Sequence, residues 1–316
     1  MRAHYGPHQQ LSVLIYGSFS DYSLDSSYKR GFEQLGHSVI PLNTRCQNVY
    51  LLPWLTNRIL HRLTIGSFKL RRLGAVRWNR YVYETVERHT PDIVFVVKGM
   101  YIMPETLRRI RALGIPIMCF DPDSPFPPSP NHRPEFLQNA HEYDCYFIWS
   151  DSLVKRLRDM GVRRVEYLPF AWDEDAFPYD HPSRQAKQEV VFIGGWDKHR
   201  EQQLEPTARE FPLEIWGPDY WVTCTNPGSA LRRCWKGKPA RGAEAAHIMR
   251  SAKICLNILR LQNLPDGTVM RTFEIPGSGG FSLSTRTKGA LEIFPEDHAG
   301  GYFESVDECL RQIEHF

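Results

Sequence analysis

Asp266 and Glu274 stand eight residues apart, and Pro276, Gly277, Gly279 and Gly280 crowd into the five positions 276–280. Two carboxylates at that spacing suit hydrogen bonds to sugar or ribose hydroxyls. Gly267 directly after Asp266 and the glycines that follow let backbone N–H groups come close to an anion, and a helix start favours negative charge. An ordinary helix followed by a Gly-rich turn explains the same letters. A second acidic pair, Asp121 and Asp123, flanks Pro122 directly after the apolar run IPIMCF. Its spacing fits a metal-binding DxD pattern, a general base facing a hydroxyl, or acids that cap the following loop. Lys98 and Gly99 end another apolar run, and Lys198 and Arg200 follow FIGGW.

Chemistry at such places needs strands that end there. LSVLIY (11–16) reads as a buried strand, Gly17 and Ser18 as the turn after it, and residues 24–35 as a helix closed by Gly36. HSVIPL is the next strand. Strand, turn, helix and strand in that order signal a parallel α/β unit whose first turn lies at the carboxyl edge of the sheet. PDIVFVVKGMYI (91–102), IPIMCF (115–120) and YDCYFIWS (143–150) are further strands, with a helix over 104–114. Residues 163–182 are irregular and Pro-bounded, and read as a linker between domains at 1–178 and 179–316. A second α/β pattern follows: EVVFIGGW, a helix opened by Asp197, LEIWGPDYW, a helix over 243–251, KICLNI, a loop over 259–267, a helix from Val269 to Ile275, GFSLST, and an amphipathic helix over 305–315. Neither half carries GxGxxG, which argues against a dinucleotide oxidoreductase.

The chain has 316 residues, 42% of them hydrophobic and 24% charged, as in ordinary globular proteins. Its net charge of +3 is too small to imply nucleic acid. Its seven cysteines form no CxxC pair, which fits a reducing, cytoplasmic setting without zinc or a disulfide framework. No apolar run is long enough to span a bilayer, and MRAHYGPHQQ lacks the apolar core of a signal peptide. Residues 53–80 interleave Arg58, His61, Arg62, Lys69, Arg71, Arg72, Arg77 and Arg80 with Leu, Ile, Phe and Trp, without one acid. Such a stretch is either a solvated helical face or a surface for anionic lipid, peripheral at the inner membrane face.

From about residue 90 onward an ordered set of segments carries a resemblance: LPFAWDEDAF, VFIGGWDKHRE, LEIWG, AKICLNILR, RTFEIPGSGGFSLST and FPEDHAGGYFESVDECL. Together they resemble GT-B glycosyltransferases, nearest to the CgeB-like and group 1 families. The resemblance implies two Rossmann-like domains facing each other across a cleft, and hexosyl transfer from a nucleotide-diphosphate sugar to a hydroxyl. The acceptor would be a glycan or a lipid-linked molecule in cell-envelope polysaccharide biosynthesis or spore-coat glycosylation. No cofactor is implied, and side chains rather than a metal neutralise the leaving group. Glu274 would bind ribose, and Asp266, Asp where the family pattern has Glu, would lie near the transferred sugar. The N–H groups of Gly267 and Thr268 would meet the diphosphate, with Lys198 and Arg200 neutralising it and Gly195, Trp216 and Gly217 around the donor; Arg271, and less clearly Arg260, pairs either with the diphosphate or with a structural carboxylate. Asp123 or Asp121 would face the acceptor, as base or as hydroxyl-orienting group, with Gly17, Ser18 and Lys98 on the same side. GT-B chains commonly finish on a helix that returns to the first domain, so the resemblance implies a shortened chain here. Rival readings are a nucleotide-sugar 2-epimerase and a non-catalytic nucleotide-sugar binder.

Overall fold

Two all-parallel sheets organise the computed structural model, which describes residues 9–46, 68–129, 134–180, 188–296 and 300–316. The first sheet contains β1 (Ser12–Gly17), β2 (Ser38–Asn43), β3 (Ile93–Val97), β4 (Ile117–Phe120), β5 (Cys145–Ile148) and β6 (Val165–Tyr167), in the order β2-β1-β3-β4-β5-β6. Helices α1 (Leu24–Gln34), α2 (Phe68–His89), α3 (Pro104–Ala112), α4 (Pro134–Ala140) and α5 (Asp151–Asp159) accompany it. The strands read as continuous apolar runs because helices cover parallel sheets on both faces. Val13, Leu14 and Ile15 are accordingly fully buried, each stabilising the fold by about 2 kcal/mol. Gly36, Gly114 and Gly161, with φ of 84°, 80° and 83°, follow α1, α3 and α5 in the left-handed conformation that ends a helix.

The second sheet contains β7 (Gln188–Ile193), β8 (Leu213–Trp216), β9 (Ala252–Asn257), β10 (Ser282–Thr285) and β11 (Gly301–Phe303), in the order β11-β10-β9-β7-β8. Its longer helices are α6 (Lys198–Glu210), α7 (Gly242–Ser251), α8 (Met270–Gly277), α9 (Lys288–Ile293) and α10 (Val306–His315). Side chains cap three of them: Asp197 accepts from Arg200 N, as its place in the sequence leads one to expect, Thr287 from Ala290 N and Ser305 from Glu308 N. In both sheets the first strand in sequence pairs with the second on one side and the third on the other. The side on which strands are added switches between β1 and β3, and again between β7 and β9. The crevice outside the carboxyl ends at such a switch point is where open α/β sheets bind ligands.

The chain divides into two compact units, the first up to Ile148 plus Leu153–Leu168, the second Trp149–Ser152 plus Pro169–Phe316. The expected boundary after residue 178 therefore moves to Leu168. Ala176 and Phe177 are buried in one core cluster with Val191, Ile193 and Ile275, and Trp172 packs against it. The supposed linker is part of the second core. It also contains β6, whose three residues are too few and too mixed to betray a strand. Of the basic segment, Arg58, His61 and Arg62 lie outside the described residues, and its remainder runs into α2.

Candidate functional site

At the switch point of the second sheet, β7 ends in Gly194 and Gly195, and Asp197 opens α6. Arg200, on the first turn of α6, folds back over this edge. Its Nε donates to Ile258 O at 2.9 Å and its Nη1 to Gly195 O at 3.1 Å. Arg271, on α8, donates Nε to Ile193 O at 3.3 Å and contacts Glu274, three residues along the same helix. Arg260, from the loop after β9, brings its Nε to 3.3 Å from Asp197 Oδ2. A Cβ on Gly195 would lie 3.2 Å from Arg260 Nη2, so the guanidinium rests on that glycine. Three guanidinium groups thus converge on the carboxyl ends of β7 and β9. Burial, and then the charge of Arg260, push the Arg200 pKa down to about 10. Burial does the same for Arg271, again to about 10. Both stay cationic at neutral pH, held by backbone carbonyls with N–H groups to spare. The arrangement suits a polyanion.

At the switch point of the first sheet, Lys98 follows β3 with φ of 66°, followed by Gly99 at 65° and Tyr101 at 68°. A non-glycine residue in this region costs roughly 1 kcal/mol or more, and such strain gathers at functional sites. Lys98 N–H donates to Phe120 O at 2.8 Å and Lys98 Nζ reaches Asp123 Oδ2 at 2.5 Å. Asp123 N–H donates to Asp121 Oδ1 at 3.1 Å, and Tyr146 O–H donates to Asp121 Oδ2 at 2.7 Å. Asp121 is 1% exposed. Burial first, with help from the Asp123 charge, lifts its pKa to about 7 against the opposing pull of Tyr146, the Asp123 amide and Lys98. Behind it lie the buried Cys119 and Tyr143, whose own pKa values burial raises well above the ordinary.

Residues 199–316 match a family described as glycosyl transferase-like. The match lies within the second unit. Across the whole chain the fold is that of GT-B glycosyltransferases. A UDP-forming α,α-trehalose-phosphate synthase from Burkholderia xenovorans is 14% identical, with a TM-score of 0.60 over 97% of this chain and 91% of that one. A sucrose-phosphate synthase from Thermosynechococcus elongatus is 10% identical, with a TM-score of 0.63 over 97% and 89%. A putative UDP-N-acetylglucosamine 2-epimerase from Listeria monocytogenes is 10% identical, with a TM-score of 0.56 over 98% and 89%. No curated protein is similar enough in sequence to match the chain.

At the carboxyl edge of the second sheet, Arg200, Arg271 and Gly195 come together with Glu274 beside them. Glu274 itself is 1% exposed, so it holds Arg271 rather than standing open to a ribose. Lys198 does not join them: its side chain, 62% exposed, pairs with Glu201 at 2.6 Å. Asp266 is already engaged by Ser150 Oγ at 2.9 Å, Ser152 Oγ at 2.9 Å and Ser152 N–H at 2.8 Å, which corrects its expected place at the sugar. The partners lie more than a hundred residues away, beyond the reach of spacing arguments. Gly267 N–H donates to Asn263 O at 2.8 Å, so it is not offered to a diphosphate, and a Cβ there would meet Trp149 at 2.2 Å. Thr268 is fully buried.

Gly217 has a packing reason, since a Cβ would come within 2.2 Å of Gly194 O. Trp216 is half-buried against the core, its Nε1 donating to Glu214 Oε2 at 3.2 Å, with Lys238 Nζ 5.8 Å above the ring. In the first unit, Gly17 admits Asp25, whose Oδ2 accepts from Phe19 N–H at 2.6 Å and would lie 2.3 Å from a Cβ on Gly17. Ser18 is half-buried beside it. Asp121 is too enclosed to touch a substrate, which removes it as a general base and leaves Asp123, with 18% of its side chain exposed. Among the described residues no group of His, Cys, Asp and Glu is arranged to hold a metal ion, and no helix is long and apolar enough to cross a membrane. For Arg260 the sequence leaves open whether it pairs with a diphosphate or with a structural carboxylate, and in the fold it meets Asp197. Only the β7–β9 pairing brings it to Asp197.

Proposed function

We propose that the chain transfers a glycosyl group from a nucleoside-diphosphate sugar to a hydroxyl acceptor. The observation that carries this is the convergence of Arg200, Arg260 and Arg271, all within the residues that match the glycosyl transferase-like family, at the carboxyl ends of β7 and β9. A departing nucleoside diphosphate gains negative charge in the transition state, and fixed cations placed beforehand stabilise it at no cost of reorganisation. Arg200 and Arg271 are fixed in this sense by backbone carbonyls and by Glu274. UDP is the first nucleotide to test, since one trehalose-6-phosphate protein of the same fold, from E. coli, is described as bound with UDP-2-fluoro glucose. In the first unit, Asp123 with Lys98 is the candidate partner for the acceptor hydroxyl, with Gly17 and Ser18 in the neighbouring turn.

Thermal unfolding in the presence of UDP, GDP, dTDP, CMP and their sugars tests the reading. A ligand at a hundred times its Kd adds about 2.7 kcal/mol to the stability of the form it binds. A nucleoside diphosphate is expected to raise the midpoint, CMP much less, and Arg271→Lys is expected to remove most of the gain because an ammonium lacks the planar fork. If no nucleotide moves the midpoint, the reading falls. Epimerised nucleotide sugar formed without any acceptor would replace it with the 2-epimerase reading.

A further inference from the structure

The anion site contains a carboxylate of its own. Asp197 Oδ1 accepts the backbone N–H of Arg200 at 2.9 Å and so caps α6. Its other oxygen has no such duty. Oδ2 is sealed from solvent, takes no hydrogen bond of good geometry, and lies between two guanidiniums, 3.3 Å from Arg260 Nε and 3.6 Å from Arg200 Nε. A single oxygen shared by two cations at these distances makes ion-pair contacts without the directed bonds that would lock it.

The charges are informative. Arg200, Arg260 and Arg271 against Asp197 and Glu274 sum to one net positive charge. Without Asp197 the sum is two, which equals the two negative charges of a diphosphate diester. Arg260 also differs from its neighbours. Arg200 and Arg271 are tied to backbone carbonyls of β7 and its turn or of the loop after β9, whereas the Arg260 contacts are with the Asp197 carboxylate and the open face of Gly195.

We propose that Arg260 is a third phosphate-binding residue of this site, held in readiness by Asp197 Oδ2, and that the incoming diphosphate takes the place of that oxygen. The inference rests on the donor reading above and adds to it a residue and an order of events. Asp197 Oδ1 keeps its bond to Arg200 N–H, so α6 stays capped while Oδ2 gives up Arg260. No covalent step is involved. Asp197 is a built-in competitor, and the site pays its release each time a donor binds.

Removing that competition without removing the cap is a clean test. Asn and Ser cap helices as well as Asp does, so Asp197→Asn and Asp197→Ser keep the fold and lose the carboxylate. Titration calorimetry of the full chain with inorganic pyrophosphate is expected to show about ten-fold tighter binding for both variants, about 1.4 kcal/mol. Arg260→Ala in the Asp197→Asn background is expected to cancel the gain, because the freed guanidinium is what supplies it. Unchanged or weaker pyrophosphate binding in Asp197→Asn and Asp197→Ser overturns the proposal. So does a gain that survives Arg260→Ala. If nucleoside diphosphates stabilise the wild type while these variants change nothing, the donor reading stands and this one alone is lost. If neither wild type nor Asp197→Asn binds pyrophosphate or any nucleoside diphosphate, both are lost.

Discussion

Asp121 and Asp123 look equivalent in the sequence and differ in every physical respect in the fold. Asp123 reaches Lys98 at 2.5 Å with part of its side chain open, whereas Asp121 is 1% exposed and bonded to Tyr146 and to the Asp123 amide. Its folded pKa of about 7 against an ordinary 3.8 means that the folded protein holds the proton more tightly than the unfolded chain. The contribution of that proton to stability is complete below about pH 4 and is lost as pH rises through 7. Asp121→Asn mimics the neutral acid and keeps an acceptor for Asp123 N–H. Its thermal midpoint is therefore expected to rise relative to wild type between about pH 4 and pH 7 and to level off above that, the full difference being on the order of 4 kcal/mol. Parallel pH profiles for the two proteins would remove the account. At this scale the sequence is readable where a position follows from a strand end, as for Lys98 after β3 and Asp123 after β4. It is unreadable where a distant partner decides the role. Asp266 looks like a catalytic acid until Ser150 and Ser152 occupy its oxygens, and the partner of Arg260 stays open until Asp197 meets it.

Elements were legible in proportion to their length and their burial. The strands over β1, β3, β4, β7 and β9 are runs of apolar residues bounded by Gly, Pro or charge, and they stand where expected. β6 and β11, Val165–Tyr167 and Gly301–Phe303, carry too few residues for a period to register. The glycines around the anion site show how two elements can place equal letters under different constraints. A Cβ on Gly217 would lie 2.2 Å from Gly194 O, a backbone atom at the end of β7 that also accepts from Trp221 Nε1 at 2.9 Å. A Cβ on Gly195 would meet only Arg260 Nη2, at 3.2 Å, the far end of a flexible side chain. Gly217→Ala must therefore shift a strand end and is expected to cost about 3 kcal/mol, while Gly195→Ala costs under about 1 kcal/mol. Urea unfolding of both variants measures the contrast. Equal losses would show that the β7–β8 ends are not packed as described.

On the scale of the molecule, the two units repeat one topology but invest their switch points differently. The first carries one close ion pair, Lys98 with Asp123, over a buried acid, so its edge is nearly neutral among the described residues. The second carries three guanidiniums against two carboxylates. A polyanionic donor therefore has its electrostatic partner in the second unit. Amide hydrogen exchange follows such an event residue by residue, because ligand contacts slow local opening. With saturating UDP, protection is expected to rise at 193–200, 258–261 and 270–274, the ends of β7 and β9 and the start of α8. Amides of β10 and β11, on the far side of the same sheet from β8, are expected to change little. The Lys98–Asp123 edge of the first unit is expected to stay unprotected by UDP alone, since nothing there complements a phosphate better than the arginines do. Protection spread evenly over both units would indicate global stabilisation without a located site. Protection centred on Lys98 would transfer the nucleotide to the first sheet and undo the assignment of Arg200, Arg260 and Arg271.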